Sequence, residues 1–336
     1  MKNTKKNHFF RQLLVSGLLI FLGNSSHAKD LIIATDSGAS GSRAGDAIEE
    51  WARIIKTNTD NKLESRVFFQ NQLGGQQEVF DLHMMGEVDI MLNWPMTSYS
   101  ERLSVLYAPY LFLDWNEALQ AYRPGGWMYD IVDDIYSSIG LKFLGAWPEG
   151  FNGFATTGEC LTAFNNKDNY KLRVQPVFPM AETVGAMGFN TATIDWAELY
   201  TSIQTGLVDG DAGNVIYWDY EYFRDVLDCY VQTKQQFITG VLSINLESWN
   251  KLSKDEKSAV EDGALEIMET RFSNAQEHDE KYVNLWQEDG NDYLELSAEE
   301  LFELAQKVRN KVWPEMESRV GEGFMIEIRG NSTNIK

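Results

Sequence analysis

The stretch Leu31-Ile32-Ile33-Ala34-Thr35 is a short apolar run that predicts a buried β-strand. It begins an alternation of patterns. Apolar residues at helical spacing follow over 44–55, and strand patterns then occur at Leu63–Phe69 and Val88–Leu92. A break at two glycines precedes a predicted helix near Gln76–Met85. Strands that alternate with helices indicate an α/β layer, so this segment assigns the chain to the α/β class.

A second alternation begins further along the chain, after a strong strand pattern over Leu141–Trp147. It contains a strand at Lys171–Val174 and helices near Pro179–Met187 and Trp196–Thr205. A capping-box signature at Ser253 and uninterrupted helical spacing then predict a helix over Lys254–Gln287. That helix exceeds the usual globular length and could brace two lobes. The 336 residues also suggest two domains, at roughly 150 residues each.

The first residues have the pattern of a secretory signal peptide. Four cations precede an apolar run over 13–22, which is too short for a membrane span of about 20 residues. Small residues then lead to a predicted cleavage site after Ala28, so residues 1–28 are expected to be removed. Because 29 Lys and Arg become 25 and all 50 acidic residues remain, the mature charge is 25 − 50 = −25.

Composition excludes several classes of protein. A hydrophobic content of 43% excludes a disordered acidic tail, and a net charge of −21 argues against nucleic-acid or anionic-membrane binding. Two cysteines cannot form a disulfide-framework miniprotein or a four-cysteine zinc site. After export, Cys160 and Cys229 would meet an oxidising compartment, so a disulfide is favoured over two free buried thiols. No metal site is predicted.

Candidate chemistry centres on one cation and several aromatic residues. Arg173 lies inside an apolar strand, and a buried guanidinium needs an anionic partner. That partner is either a ligand carboxylate or an internal Asp or Glu, and the residues alone leave both open. Trp94, Trp147 and Trp218 lie at predicted strand ends or in loops, where they could stack on a ligand or pack in the core. No hydrolase, zinc-protease, phosphate-loop or dinucleotide motif occurs.

Three ordered segments resemble the core of TRAP-transporter solute-binding proteins of the DctP type. They are Leu172-Arg173-Val174, Gly188-Phe189-Asn190 and the stretch ELYTSIQTGLVDG at Glu198–Gly210. Shorter similarities to the same family occur at NQLGG (71–75), MGEVDI (85–90), APYLF (108–112), WPEGF (147–151) and WNKL (249–252). The likeness runs from about Asp30 to at least Ile267.

The resemblance implies a two-lobed periplasmic-binding-protein fold, of the Venus flytrap type, with a long helix bridging both lobes. Residues 29–150 plus 240–278 would form lobe I, and residues 151–239 plus 279–336 would form lobe II. Such a protein binds a small organic carboxylate by lobe closure in the periplasm and delivers it to membrane permease subunits. It has no catalytic residues and needs no cofactor. A monomer is expected, although the family includes dimers.

The resemblance also implies roles for individual residues. Arg173 matches the family's carboxylate-binding arginine, and Asn214 matches an asparagine that follows the V-D-G motif. Asn152 stands where many members have an arginine, so the expected pocket loses one cation. The full expected ligand-binding set comprises Arg173, Asn214, Trp147, Asn152, Trp94, Trp218 and Asn190.

Two other functions remain open from the sequence. A secreted carbohydrate-active enzyme could use an acid pair and tryptophan platforms. A ligand-sensing protein for a membrane receptor would share the fold and differ in its partner. The ligand is also open among keto acids, sugar acids, aromatic acids and compatible solutes such as ectoine.

Overall fold

The computed structural model describes residues 30–164 and 170–335. The predicted signal peptide, residues 1–28, lies outside the described residues. Two mixed sheets flanked by helices make up the fold, which confirms the predicted α/β class. We call the elements around the first sheet the first lobe and those around the second sheet the second lobe.

The strands follow one another along the chain in short segments. They are β1 (Leu31–Thr35), β2 (Ser65–Phe68), β3 (Ile90–Asn93), β4 (Leu141–Phe151), β5 (Phe154–Thr156), β6 (Lys171–Val174), β7 (Asn190–Thr193), β8 (Gly210–Asp211), β9 (Cys229–Gln232), β10 (Phe237–Asn245) and β11 (Asp292–Glu295). The helices are α1 (Arg43–Asn58), α2 (Gln76–Met84), α3 (Trp115–Tyr122), α4 (Trp127–Ser138), α5 (Met180–Met187), α6 (Leu199–Gln204), α7 (Ile216–Phe223), α8 (Leu246–Lys251), α9 (Lys254–Glu288), α10 (Ala298–Val320) and α11 (Glu322–Asn331).

The first sheet has the strand order β2-β1-β3-β10-β4. β1 pairs in parallel with β2 and β3, whereas β10 runs antiparallel to β3 and β4. The two connections from β1 to β2 and from β2 to β3 carry α1 and α2, as parallel neighbours require. Buried aliphatic residues of β1 and β3 and the fully buried Trp51 of α1 form much of the core of this lobe.

The second sheet has the strand order β11-β9-β5-β8-β6-β7. β6 pairs in parallel with β7 and β8, and β11 pairs in parallel with β9. The short β5 runs antiparallel to both β8 and β9, so it joins these two parallel groups. Gly210 is required at this junction, because a Cβ there would lie 2.0 Å from the carbonyl oxygen of Ala155.

The chain passes between the lobes at more than one place. β4 belongs to the first sheet and β5, two residues later, to the second, whereas the return from β9 to β10 spans residues 233–236. α9 makes a further connection, because it packs against α1 and β4 in the first lobe and against α7 and β11 in the second. The predicted bridging helix is therefore confirmed.

Local signals explain where α9 begins. Ser253 Oγ accepts a hydrogen bond from the Glu256 backbone N–H at 3.3 Å, and Glu256 accepts one from the Ser253 backbone N–H at 2.7 Å. This reciprocal capping box satisfies two donors that a helix start otherwise leaves unpaired. Within residues 30–164 and 170–335, neither α9 nor any other helix has the length and apolar character to cross a membrane.

Helix α10 lies across both lobes. α10 packs against α5 of the second lobe and against a 3-10 helix, Glu101–Tyr107, of the first. Arg309 Nε donates to the carbonyl of Tyr110 at 3.0 Å, and Trp313 Nε1 donates to that of Pro109 at 3.0 Å. The exchange of segments at 150/151, 239/240 and 278/279 remains a sequence prediction.

Cys160 and Cys229 form a disulfide with a Cα–Cα distance of 5.3 Å. It ties the segment that follows β5 to the first residue of β9, across a sequence separation of 69 residues. A crosslink of this length reduces the conformational freedom of the unfolded chain more than a short one does.

We expect the paired substitution Cys160→Ala and Cys229→Ala to lower the free energy of unfolding by about 2–4 kcal/mol, because the unfolded chain regains the entropy of this loop. Urea denaturation monitored by circular dichroism measures the loss. Reducing agent should produce the same loss in the wild type and no further loss in the variant. A variant as stable as the oxidised wild type would show that the bond contributes nothing.

Candidate ligand-binding site

A cavity lies between the two lobes, at the ends of strands from both sheets. Residues that follow strands β1, β3, β6 and β8, together with the first turns of α2 and α7 and the start of β10, supply its walls. The lining residues are Ser37, Gln76, Trp94, Arg173, Gln175, Trp196, Gly213, Asn214, Val215, Trp218 and Ile238. Crevices at the carboxyl ends of strands are the usual ligand sites of open α/β sheets.

Among the described residues, Arg173 is the only charged residue that lines the cavity. Only 2% of its surface is exposed to solvent. Its Nε donates to the carbonyl oxygen of Ile194 at 2.8 Å, and its Nη1 donates to Asp211 Oδ1 at 3.0 Å. These two bonds fix the guanidinium plane. The remaining N–H groups of its outer edge are the donors that can receive a carboxylate.

Asp211 organises the loop that carries Asn214. Its second oxygen, Oδ2, accepts the backbone N–H groups of Gly213 at 2.9 Å and Asn214 at 3.0 Å. The side-chain Nδ2 of Asn214 in turn donates to Asp219 Oδ1 at 2.7 Å. Burial, reinforced by repulsion from Asp211, holds the pKa of Asp219 well above its usual range.

Three tryptophans form the apolar walls. Trp94 follows β3, Trp196 precedes α6, and Trp218 lies in the first turn of α7. The ring centroids of Trp94 and Trp218 are 5.6 Å apart with an interplanar angle of 86°, and those of Trp196 and Trp218 are 5.4 Å apart at 77°. The rings of Trp94 and Trp196 are therefore both almost perpendicular to the ring of Trp218.

Direct contacts across the cleft show that the lobes are closed. Gln175 donates to Gln76 Oε1 at 3.3 Å, and Trp196 Nε1 donates to Gln70 Oε1 at 3.3 Å. The cavity volume is only about 30 Å³, which is room for roughly two water molecules. Ligand pockets usually measure about 300–1,000 Å³. An organic acid can therefore enter only if the lobes separate or the tryptophans move.

The cavity brings together Arg173, Asn214, Trp94 and Trp218 from the expected set. It does not include the other three. Trp147 lies on β4 and donates from Nε1 to Glu149, Asn152 is fully buried where the chain crosses between the lobes, and Asn190 is exposed at the start of β7.

Asn152 makes interactions of a structural kind. Its Nδ2 donates to Gln236 Oε1 at 2.7 Å, and its Oδ1 accepts the Gln236 backbone N–H at 2.7 Å. Both polar atoms of the side chain are thereby used to hold together the two chain segments that cross between the lobes. An arginine side chain would not fit this pair of reciprocal amide bonds, because it has no acceptor.

Several residues that line the cavity belong to no recognisable sequence motif. Ser37, Gln175 and Trp196 were not expected at the site, although Ser37 lies two residues after the end of β1 and Gln175 directly follows β6. The rule that polar residues after parallel strands face the ligand crevice could have identified these two. Trp196 directly follows the helix cap Asp195, and its place in the cavity depends on how the two lobes meet.

A second group of charged residues lies beside the crossing. Glu149, whose side chain is fully buried, pairs with Arg43 of α1 and accepts from Arg271 Nη2 of α9 at 3.4 Å. Trp147 Nε1 donates to the same carboxylate at 3.0 Å. Burial, with repulsion from Arg43, lowers the pKa of Arg271 to about 9. The cluster joins the first lobe to the bridging helix.

His278 and Asp279 extend this cluster along α9. His278 Nδ1 lies within hydrogen-bond distance of Arg43, and burial, with repulsion from Arg43 and Arg271, lowers the pKa of its imidazole to about 2. The ring is therefore neutral and accepts from Arg43. Burial raises the pKa of Asp279 to about 7, although Arg271, Arg43 and Lys234 favour its charged form.

We expect Asp279→Asn to stabilise the protein at about pH 8 and to have little effect near pH 4, because of the raised pKa. A carboxyl whose folded pKa is about 7 binds its proton more tightly in the native state than in the unfolded chain. Its contribution to stability is therefore lost as pH rises from about 4 to about 7. Urea denaturation at several pH values measures the difference. Glu277→Gln, at an exposed neighbouring position, is the control, and a pH-independent difference for Asp279→Asn would contradict the expectation.

No cluster of three or more His, Cys, Asp or Glu side chains suited to a metal ion occurs in the described part of the chain. His83 is an example of a histidine whose ring nitrogens are not available to a metal ion. Both of its ring nitrogens are used, because Nδ1 bonds to the carbonyl of Val88 and Nε2 to Ser243 Oγ, each at 2.9 Å. Burial lowers the pKa of this histidine to about 4.

The model of the DctP family, described as bacterial extracellular solute-binding protein, family 7, matches residues 35–319. The chain belongs to this family. It is a TRAP-type solute-binding protein with the two-lobed fold of that group. The ectoine-binding periplasmic protein TeaA of Halomonas elongata is 23% identical over 227 residues, which is 66% of each chain. The C4-dicarboxylate-binding protein DctP of Rhodobacter capsulatus is 22% identical over 85% of this chain and 86% of its own.

Solved structures share the fold over most of the chain. A TRAP periplasmic solute-binding protein from Desulfovibrio salexigens with bound orotic acid has a TM-score of 0.81 at 19% identity, covering 90% of this chain and 97% of its own. One from Sulfurospirillum deleyianum with bound succinate has a TM-score of 0.80 at 20% identity, covering 90% and 99%.

Proposed function

We propose that this protein is the extracytoplasmic subunit of a TRAP transporter, which binds a small organic carboxylate between its lobes and delivers it to membrane permease subunits. The observation that carries the proposal is the nearly buried Arg173, which lines the cavity between the lobes with part of its guanidinium edge available. A signal peptide over residues 1–28 and action in the periplasm are parts of the same proposal. So are the absence of catalysis and a monomeric state.

The site supports binding in two steps. In the open form, the carboxylate meets Arg173 and the loop at Asn214, which both belong to the second lobe. Closure then brings Ser37, Gln76 and Trp94 of the first lobe against the ligand and excludes water. A ligand shifts the equilibrium only by its difference in affinity for the two forms, so contacts from both lobes are what favour closure.

The lobe boundaries belong to the proposal as well. We propose that residues 29–150 plus 240–278 move as one body and residues 151–239 plus 279–336 as the other. Motion would then be concentrated near 150/151, 239/240 and 278/279. The closed form would present both lobes together to the permease, which gives the membrane partner a means to distinguish loaded from empty protein.

The test is a thermal-unfolding screen of the mature chain, residues 29–336, against organic acids and the corresponding neutral amides. A ligand that binds the native state raises the unfolding midpoint. We expect at least one acid to do so, confirmed by calorimetry, and its amide to bind far more weakly. Amides that bind as well as the acids would contradict carboxylate recognition, and turnover of a polysaccharide would replace the proposal with an enzyme.

A further inference from the structure

The charge of Arg173 is already balanced inside the protein. Arg173 Nη1 lies 3.0 Å from Asp211 Oδ1, and the Asp211 side chain is fully buried. Two charges that leave water together cost much less than one, and this pair carries no net charge. The arginine can still donate to a ligand from its outer edge. It no longer supplies an excess positive charge to the cavity.

The rest of the lining does not supply one either. Among the described residues, those that line the cavity besides Arg173 are amides, a serine, tryptophans and small or aliphatic residues. A simple carboxylate anion would therefore leave one uncompensated negative charge in a nearly closed cavity. A carboxylate that carries its own positive charge avoids this cost.

The tryptophan walls suit that positive charge. The ring of Trp218 is nearly perpendicular to those of Trp94 and Trp196, with centroid distances of 5.6 and 5.4 Å. Perpendicular rings form corners in which one ligand group can touch two aromatic surfaces. A cation over an indole face is attracted by the negative face of the ring, and more strongly when water is excluded.

The polar side chains that line the cavity with the tryptophans restrict the kind of cation that can bind. The Gln76 amide oxygen already accepts from Gln175 at 3.3 Å, and its amide nitrogen donates to Ser37 Oγ at 3.1 Å. A primary ammonium is strongly hydrated and needs several acceptors, whereas both polar ends of the Gln76 side chain already have partners within this wall. Alkylated or delocalised cations are weakly hydrated and need none.

We propose that the ligand is a small zwitterion, whose carboxylate binds Arg173 and whose alkylated or delocalised cation lies against Trp94, Trp196 and Trp218. The inference rests on the proposed function and narrows its substrate class from organic acids in general to those with no net charge.

Calorimetry with matched pairs of probes on the mature chain tests this inference. Trimethylglycine and 3,3-dimethylbutyrate have the same shape and differ in one atom, a quaternary nitrogen in place of carbon. N-Methylnicotinate and 3-methylbenzoate form a second such pair, with an aromatic cation. We expect a zwitterion to bind at least about tenfold more tightly than its anionic partner, equivalent to about 1.4 kcal/mol. Succinate and glucuronate serve as reference anions.

Variants of Trp196 identify the group that recognises the cation. Trp196 is partly exposed, so Phe and Leu can replace it with less risk to folding than at the buried Trp94 or Trp218. Affinity for the zwitterion should fall from Trp to Phe to Leu, whereas affinity for the anionic partner should change less than about twofold. Trp249→Phe, on α8 of the first lobe, is the matched control and should change neither.

Each outcome decides one of the two proposals. Anionic partners that bind as tightly as the zwitterions overturn the zwitterion inference and leave the proposed function standing. The same holds when succinate or glucuronate binds more tightly than both zwitterions. Absence of binding by either zwitterion also overturns the inference. The proposed function falls only when the wider screen finds no carboxylate that binds.

Discussion

Arg173→Ala should abolish ligand binding and lower the free energy of unfolding by about 3–5 kcal/mol, the usual cost of breaking a buried ion pair. The stability loss arises because Asp211, which has no solvent exposure, keeps its two backbone donors and loses the cationic partner that Arg173 supplies. The binding loss arises because no other charged side chain lines the cavity within the described residues. Urea denaturation and calorimetry measure the two effects separately.

A double variant distinguishes the two roles of Arg173. In Arg173→Met with Asp211→Asn, the apolar side chain fills the space and the asparagine oxygen can still accept from Gly213 and Asn214. Replacing both members of a buried pair often restores stability. We therefore expect most of the lost stability to return while binding stays absent. Binding that survives in either variant would remove Arg173 from the site, and a single variant with normal stability would contradict the ion pair with Asp211.

Local patterns in the sequence predicted several elements of the first lobe and the bridging helix. β1 coincides with the predicted strand, α2 ends one residue before its predicted end, and α9 extends one residue beyond it. Such elements are specified by apolar spacing, glycine breaks and capping residues, all of which act within a few positions. A prediction that depends on neighbours along the chain is reliable here because the signals agree.

Local patterns predicted a single helix over Trp196–Thr205 and missed the change of helix type within it. The structure has a 3-10 turn at Trp196–Glu198 and an α-helix at Leu199–Gln204. Asp195 caps this segment through the backbone N–H of Ala197, as its position suggested. Trp196 lies in this turn and lines the cavity. That position depends on the opposite lobe, which no local pattern encodes.

The sequence left two anionic partners open for Arg173, an internal carboxylate and a ligand carboxylate, and one arginine can bind both. The sequence required an anionic partner for a buried arginine, either internal or from a ligand. The structure places Asp211 beside Arg173 in the register of two parallel strands, and the same guanidinium lines the cavity. Sequence spacing could not bring positions 173 and 211 together, because their contact depends on how β6 and β8 pair.

Glu149→Gln should be the second most damaging change, with a loss of about 3–5 kcal/mol in the free energy of unfolding. The carboxylate is fully buried and lies between two guanidinium groups, those of Arg43 and Arg271. Without its charge, the two cations repel each other in a site where burial already lowers the pKa of Arg271 to about 9. Glutamine also introduces an amide among groups that are all donors.

The position of Glu149 extends the expected effect from stability to closure. It lies near the end of β4, where the chain leaves the first lobe, and its partners belong to α1 and α9. Arg43 also reaches the second lobe, because its guanidinium lies 4.3 Å from the ring centroid of Tyr217. Releasing Arg43 from Glu149 should therefore weaken the closed form. Small-angle scattering of the ligand-free variant should show a larger radius of gyration than that of the wild type.

Glu50→Gln is the matched control for Glu149→Gln. Glu50 pairs with Arg53 one turn along α1, and the two side chains are 38% and 59% exposed. Exposed pairs of this kind contribute little to stability, because solvent and salt screen them. A second variant, Glu149→Gln with Arg271→Met, should recover part of the stability because it removes one of the two repelling cations. Equal losses for Glu50→Gln and Glu149→Gln would mean that the buried cluster contributes no more than a surface pair. A Glu149→Gln variant with the radius of gyration of the wild type would contradict the link between this cluster and closure.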